Sequence, residues 1–214
     1  MRKHHLPAPR PKQGRRSDFP RLLGGNLCLD FVNTIEERRG RHPQDFLPSA
    51  EALVHWSGHV SILQPAQAAR LIRKAARSPK AATGYWKQAV ALREAVYGIF
   101  VAIARNARFG EKDLGILKQR YLEGVKAADL SATAHGYHWQ WNAPNQALDT
   151  IGWRVAQAAV ELLSSEELRR VKECPNCGWL FVDVSKNHSR RWCSMEGCGS
   201  RVKARRQYAL KHRR

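Results

Sequence analysis

Residues 174–201 read CPNCGWLFVDVSKNHSRRWCSMEGCGSR and hold four of the five cysteines of this 214-residue chain. The thiols form two close pairs, Cys174 with Cys177 and Cys193 with Cys198, and fifteen residues separate the pairs. Two short knuckles of this kind place four thiolates around one tetrahedral Zn²⁺ ion. An iron–sulfur cluster also takes four cysteines but gains nothing from this Arg/Lys-rich setting, and a redox CxxC motif needs no second pair. The spacing favours one zinc ion, which is expected to be structural because four protein ligands leave no open coordination position.

The residues around the ligand pairs predict the local fold. Residues 179–185, WLFVDVS, alternate in the manner of a β-strand, and residues 186–190 supply a turn before the chain returns to Cys193. We therefore expect a hairpin between the two ligand pairs. Ser200 is a candidate N-cap for a terminal helix that follows Cys198. Knuckle, hairpin and helix is the order of elements in a treble-clef zinc finger.

The charge of the chain favours a polyanionic partner. The formal net charge is +19 and the sequence pI is near 10.4, which exceeds what solubility requires and indicates nucleic acid first and an anionic membrane surface second. Residues 171–214 carry eleven Lys/Arg against three Asp/Glu. A Zn(Cys)₄ centre has two net negative charges, so one or two of these cations would stabilise its thiolates, and the remainder are available to a partner. The residues expected to contact nucleic acid are Arg190, Arg191, Arg201, Lys203, Arg205 and Arg206.

The rest of the chain predicts a mainly α protein. Residues 1–21 carry seven Lys/Arg with almost no apolar residues, which is typical of a disordered basic tail. Residues 22–165 predict a helical domain, and residues 166–214 the zinc finger. The predicted helices cover 24–38 behind Asn26 as N-cap, 49–59, a segment from Pro65, 84–110 as the central core helix, 111–130 and 145–165. Alternation at Leu27, Leu29 and Phe31 also suits a short strand, and residues 136–144 favour a strand or an extended loop.

Several function classes find no support in the sequence. No nucleophile is paired with a base, and no glycine motif would cradle a phosphate, so an enzyme is not expected. No segment approaches the roughly 18 uncharged apolar residues of a membrane span, and residues 1–20 contain no apolar core of a signal peptide. We therefore expect a cytoplasmic protein without a membrane partner, whose cysteines stay reduced.

Two motifs resemble the CGNR zinc finger proteins. These are bacterial transcription regulators in which a helical domain of the ABATE type, associated with stress-induced regulation, precedes a C-terminal zinc finger. Residues 174–206 resemble the finger, and GGNLCLDFVNT at 24–34 resembles the opening motif of the helical domain. The naming tetrapeptide is Cys198-Gly199-Ser200-Arg201 here, with Ser200 where the family has Asn. The resemblance implies a DNA-binding regulator whose four clustered cysteines hold zinc.

The helical domain would then dimerise or sense a signal such as a small-molecule effector. Asp30, Asn33 and Thr34 are polar residues within an apolar run, and they either cap and crosslink helices or line a ligand pocket. Cys28 in the same run is expected to be a small core residue.

Two other hypotheses compete with a DNA-binding regulator. The first is an RNA-binding or ribosome-associated zinc protein, in which Trp179, Phe181 and Trp192 stack on unpaired bases. The alternative role of these aromatic side chains is to cover the small core of the finger. The second is a protein-interaction module built on a rigid zinc site.

Overall fold

The computed structural model describes residues 19–134, 136–141 and 147–212. In these residues the chain forms seven α-helices and three two-stranded antiparallel sheets. The helices are α1 Leu27–Val32, α2 Ala50–His59, α3 Pro65–Arg77, α4 Pro79–Ala104, α5 Glu111–Ala127, α6 Ala147–Leu163 and α7 Ser200–Lys211. The strands are β1 Ile35–Glu36, β2 Gln44–Asp45, β3 Asp129–Thr133, β4 Gly136–Gln140, β5 Val171–Glu173 and β6 Leu180–Val182. The prediction of a mainly α chain with a small finger of hairpin and helix is confirmed.

Helix α4 forms the centre of the core. Its predicted stripe is buried at Ala89, Leu92, Val96 and Ile99, and the helix packs against α1, α2, α3, α5 and α6. It ends at Ala104, several residues before the expected end near Gly110. The reason is a C-terminal cap: Asn106 has a φ of +53°, its N–H bonds to Ile103, and the Ala107 N–H bonds to Ala102. This hydrogen-bond pattern closes the helix, and Asn tolerates the left-handed conformation that it needs.

The predicted helix α1 is present, but it is shorter than predicted. The Asn26 side chain accepts a hydrogen bond from the Cys28 N–H at 3.0 Å, so it caps the helix as expected. The helix ends at Val32, and the predicted stripe residue Ile35 instead lies in β1. The Thr34 hydroxyl donates to the Phe31 carbonyl at 2.7 Å and occupies an acceptor at the helix end.

The other predicted elements agree with the structure where it describes them. Ser49 caps α2, and Pro65 is the first residue of α3. Residues 136–140 form the extended strand β4. The basic tail of residues 1–21 lies outside the described residues except for its last three. Among the described helices, none combines the length and apolar character that crossing a bilayer requires.

The hairpin of the finger lies in a different place from the predicted one. Strand β6 pairs with β5, which precedes the first ligand pair, so the hairpin surrounds the first knuckle and does not connect the two pairs. The segment that follows β6 is bound by the Asp183 carboxylate instead of pairing as a second strand. That carboxylate accepts hydrogen bonds from the Ser185 and Arg190 backbone N–H groups at 3.0 and 2.9 Å.

The β5–β6 sheet shares its core with the helices. Val171, Leu180 and Val182 belong to the same buried apolar cluster as side chains of α1, α4 and α6. A second cluster contains the four clustered cysteines with Trp179 and Phe181. Because alternate residues of a strand face opposite sides, β6 packs on the helical core with Leu180 and Val182 and on the metal side with Phe181.

Candidate zinc centre and nucleic-acid interface

The four cysteines that the spacing singled out come together in the folded chain. Their sulfur atoms all lie within 4.8 Å of one another, and all four residues are buried. The Cys177 and Cys193 sulfurs are 3.6 Å apart, and those of Cys193 and Cys198 are 3.5 Å apart. A tetrahedral zinc with Zn–S bonds of about 2.3 Å requires sulfur–sulfur distances of about 3.8 Å. The geometry of Cys174, Cys177, Cys193 and Cys198 fits one closed, structural zinc site.

The first knuckle is held by backbone hydrogen bonds. The Gly178 N–H donates to the Cys174 carbonyl at 2.9 Å, and the Cys174 N–H donates to the Trp179 carbonyl at 2.7 Å. Gly178 adopts a φ of +82°, and a Cβ there would lie 3.2 Å from the Arg39 side chain. The positive φ of this turn favours glycine, and the approach of the Arg39 side chain leaves little room for a Cβ.

Asp183 organises the long segment between the ligand pairs. The residue is fully buried, and its carboxylate accepts from Lys172 Nζ at 2.6 Å and from the Ser185 hydroxyl at 2.7 Å. Burial alone would raise the pKa of Asp183, but the Lys172 ammonium and the Ser185 hydrogen bonds hold this pKa below its usual range. The charged carboxylate thus replaces a β-ladder as the support of this loop.

Arg190, predicted to bind nucleic acid, lies within the finger. Its guanidinium donates to the carbonyls of Trp192 and Cys193 and lies 4.5 Å from the centre of the Phe181 ring. Arg191 is exposed and lies over the Trp192 ring. Of the two, Arg191 has the more accessible charge.

The second ligand pair leads into α7 through a wide helical turn. Residues Met195–Gly199 form a π-type turn, closed by a hydrogen bond from the Gly199 N–H to the Ser194 carbonyl at 3.0 Å. Ser194, and not Ser200, provides the cap, since its hydroxyl accepts from the Gly197 N–H at 3.2 Å. The predicted capping role of Ser200 is therefore wrong: it is already helical, and its hydroxyl donates to the Met195 carbonyl.

Helix α7 has no buried side chain along its twelve residues. It carries five Lys/Arg and no acidic residue. Arg201 forms an ion pair with Glu37 at 3.1 Å, and Arg205 donates to the Asn176 side chain. Lys203 and Arg206 are exposed and form no ion pair with residues that the structure describes. The helix thus presents a positively charged surface to solvent.

The polar residues of the LCLDFVNT run form internal hydrogen bonds. Asn33 is buried, donates to the Leu180 carbonyl at 2.9 Å and accepts from the Leu180 N–H at 3.0 Å. Arg93 donates to the Thr34 hydroxyl at 3.2 Å. Asp30 accepts from the Gly24 N–H at 2.8 Å, and burial raises the pKa of Asp30 to about 6. These contacts crosslink segments, while the ligand-pocket interpretation of Asp30, Asn33 and Thr34 stays a prediction.

Comparison with known families follows the same division of the chain. Residues 25–166 match the ABATE family, described as "Putative stress-induced transcription regulator". This match covers more than half of the chain. The chain belongs to the ABATE family. Residues 170–211 match the CGNR zinc finger. No curated protein matches the chain significantly.

The family matches and the cysteine cluster together define this ABATE protein as a zinc-binding regulator with one structural zinc. Zinc stabilises such a finger by replacing the hydrophobic core that so short a segment lacks.

The junction between the ABATE segment and the CGNR finger was not predicted from sequence. In addition to the Asn33–Leu180 pair, the Trp179 indole donates to the Ile35 carbonyl at 2.8 Å, and the Val182 N–H donates to the Gly24 carbonyl at 2.9 Å. Glu173 is nearly buried and pairs with Arg39 and Arg105 of the ABATE segment, both at 2.7 Å. Such contacts join positions more than sixty residues apart, for which neither spacing nor periodicity provides a signal. The basic run at 38–42, RRGRH, was visible in the sequence and would have pointed to the Arg39 side of the junction.

Proposed function

We propose that this ABATE protein is a cytoplasmic transcription regulator that binds specific duplex DNA sequences through α7 of its CGNR finger. In this proposal zinc shapes the finger and does not react. The chain acts by binding and not as an enzyme. The helical domain supplies the regulatory input, either by dimerising or by taking up a small-molecule effector.

The observation that carries the proposal is the exposure of α7, in which every residue except the partly buried Val202 is exposed to solvent. A helix of twelve residues is marginal in water by itself, and most helices gain stability by burying an apolar face. Helix α7 has no buried apolar face, yet it is anchored at one end by Cys198, and its charged side chains are all cationic. At about 1.5 Å per residue it extends roughly 18 Å, and a B-DNA major groove about 12 Å wide admits an α-helix.

The side chains of α7 divide into two roles. Lys203 and Arg206 are unpaired within the described chain and suit contacts to phosphates, which set affinity and register. Arg201 and Arg205 lie near the anchored end and suit paired hydrogen bonds to guanine, which set sequence preference. Removal of one such base-reading side chain should cost about 1 to 3 kcal/mol of binding free energy.

The RNA-binding alternative loses part of its support. Trp179 and Phe181 are buried in the finger, at 7% and 0% relative exposure, so they cover its core and are not accessible to unpaired bases. Trp192 is partly exposed and is the remaining candidate for stacking.

Selection of bound sequences from random duplex DNA at near-physiological salt tests the proposal. We expect recovery of a defined motif, and recovery of no motif beyond background overturns sequence-specific binding. A triple variant, K203Q with R205Q and R206Q, is expected to weaken binding to that motif by about 10²-fold and to lower the salt slope by about 2, because two of the three side chains contact phosphates.

A matched triple variant at exposed cations of α3 and the start of α4 controls for net charge. It combines R73Q, R77Q and K80Q. Equal decreases in affinity for the two triple variants would show that binding follows overall charge and not α7. A preference for single-stranded RNA over duplex DNA across the same salt series would favour the alternative function.

A further inference from the structure

The loop that connects β1 to β2 lies beside α7, although it belongs to the helical domain. Residues 37–42 of this loop, ERRGRH, are called the basic loop. Three of these residues line an open cleft of about 470 Å³ together with Asn176 and the start of α7. The lining residues are Glu37, Arg39 and Gly40 on the loop side, and Asn176, Arg201, Ala204 and Arg205 on the finger side. The cleft therefore has a wall from each family segment.

Both walls of this cleft are held in place. The finger is fixed on the helical domain by the buried Asn33–Leu180 hydrogen bonds. The basic loop is fixed through Arg38, which donates to the Val32 carbonyl and the Glu94 carboxylate and lies over the Tyr97 ring at 4.0 Å. A cleft with two fixed walls is preorganised, so a ligand loses less free energy in ordering it.

The charge of the basic loop matches that of α7. Arg39 lines the cleft and keeps 40% of its side chain exposed while it pairs with Glu173. Arg41 is exposed and makes no hydrogen bond or ion pair with the described part of the chain. A negatively charged backbone lying along α7 would therefore meet cations from both walls.

Glu37 is the acidic residue among those that line this cleft, and it forms an ion pair with Arg201. The carboxylate lies 3.1 Å from the Arg201 guanidinium, with both side chains about half exposed. Glu37 also adopts a φ of +52° in a tight turn closed by the Gly40 N–H. A glutamate in the left-handed region is uncommon and persists only where its surroundings hold it, which is frequent at binding sites.

We propose that the basic loop is the second wall of the DNA site, that Arg39 and Arg41 contact the phosphate backbone, and that Glu37 competes with DNA for Arg201. This inference rests on the proposed function, since it assigns residues of the helical domain to the same interface. It makes the helical domain a direct part of DNA binding and not only a source of regulation. Release of Arg201 from Glu37 becomes a step of binding.

The test measures binding of the full chain to a fluorescent duplex by anisotropy across a KCl series of about 0.05 to 0.3 M. We expect R41Q to weaken binding about 3- to 10-fold and to lower the slope of log K against log salt by about 0.9, because the variant neutralises one phosphate fewer. R73Q on α3 removes the same charge from an exposed site away from the cleft, and its slope should equal that of the wild type.

A second pair of variants tests the role of Glu37. E37Q is expected to bind duplex DNA about 3-fold more tightly because Arg201 is free, whereas E111Q, at an exposed site on α5, should show less than half of that gain. Equal slopes for R41Q and R73Q, or unchanged affinity for E37Q, overturn the loop inference while leaving DNA binding by α7 intact. Absence of any duplex binding by the wild-type chain overturns both proposals.

Discussion

The two halves of the zinc finger differ in what holds them. The half formed by β5, the first knuckle and β6 is buried against the helical domain, with Leu180 and Phe181 fully inaccessible to solvent. The half formed by α7 buries no side chain. One half is specified by contacts within the chain, and the other is attached at the zinc and left free for a partner. The difference shows which part of the finger is scaffold and which part is interface.

The largest effect is expected from removal of the metal, because the metal attaches one half to the other. The variant C193S should lose the zinc, unfold the finger and expose Leu180 and Val182 of the shared core. Structural zinc contributes on the order of 10 kcal/mol to folding in small fingers. Zinc content by mass spectrometry and thermal unfolding by circular dichroism measure this.

Cys28 provides the matched control for this experiment. It is buried in the helical core, where desolvation raises the pKa of its thiol, and it lies outside the cysteine cluster. C28A should retain one zinc per chain. If C193S also retains one zinc and the wild-type melting temperature, the four-cysteine assignment is wrong.

A smaller effect is expected at the junction between the buried half and the helical domain. N33A leaves the N–H and the carbonyl of Leu180 buried without partners, which should lower the free energy of unfolding by about 3 kcal/mol. Urea unfolding of N33A and the wild type measures this decrease in the free energy of unfolding. Y208A on α7 is the control, since that side chain is 66% exposed and its truncation should change stability by less than about 0.5 kcal/mol. Similar destabilisation by the two variants would remove the distinction between the halves.

The smallest effect is a pH dependence at Asp30. Burial raises the pKa of Asp30 to about 6, so the folded state holds its proton more tightly than the unfolded chain. The stability that protonated Asp30 contributes is therefore fully present below the pKa that Asp30 has in the unfolded chain. It is lost as the pH rises through about 6. The wild type should gain about 1 to 2 kcal/mol relative to D30N between pH 7 and pH 5.

The quantity to measure is the difference in unfolding free energy between the wild type and D30N, obtained from urea unfolding at each pH. This difference isolates Asp30 because protonation of the zinc thiolates affects both proteins alike. A difference that stays constant over this pH range would contradict a raised pKa for Asp30.

Local sequence patterns predicted where helices and strands form better than they predicted which elements pair or pack together. The stripe of α4, the Asn26 cap of α1 and the Pro65 start of α3 depend on interactions within a few residues, and all are present. The end of α4 was misplaced because the left-handed residue that closes the helix is Asn106, directly after the C-cap, and not the glycine at 110. The hairpin of the finger was misplaced because alternation marks a strand without naming the strand that pairs with it.

The same limit applies to the site. Cysteine spacing alone identified the four ligands, since two knuckles around one tetrahedral ion permit few arrangements. Arg190 could not be separated from the exposed arginines, because its hydrogen bonds to Trp192 and Cys193 depend on the folded loop. Asn33 was visible as a polar residue in an apolar run, but its partner Leu180 lies 147 residues away.

The sequence by itself determined the mainly helical class, the zinc site with its ligands and the concentration of positive charge at the C-terminus, because periodicity, ligand spacing and composition are local properties. Only the tertiary structure decided that the finger is fixed on the helical domain, that α7 stays exposed and that the basic loop lies beside it. These depend on buried hydrogen bonds and packing between residues far apart in the chain, which have no local signature.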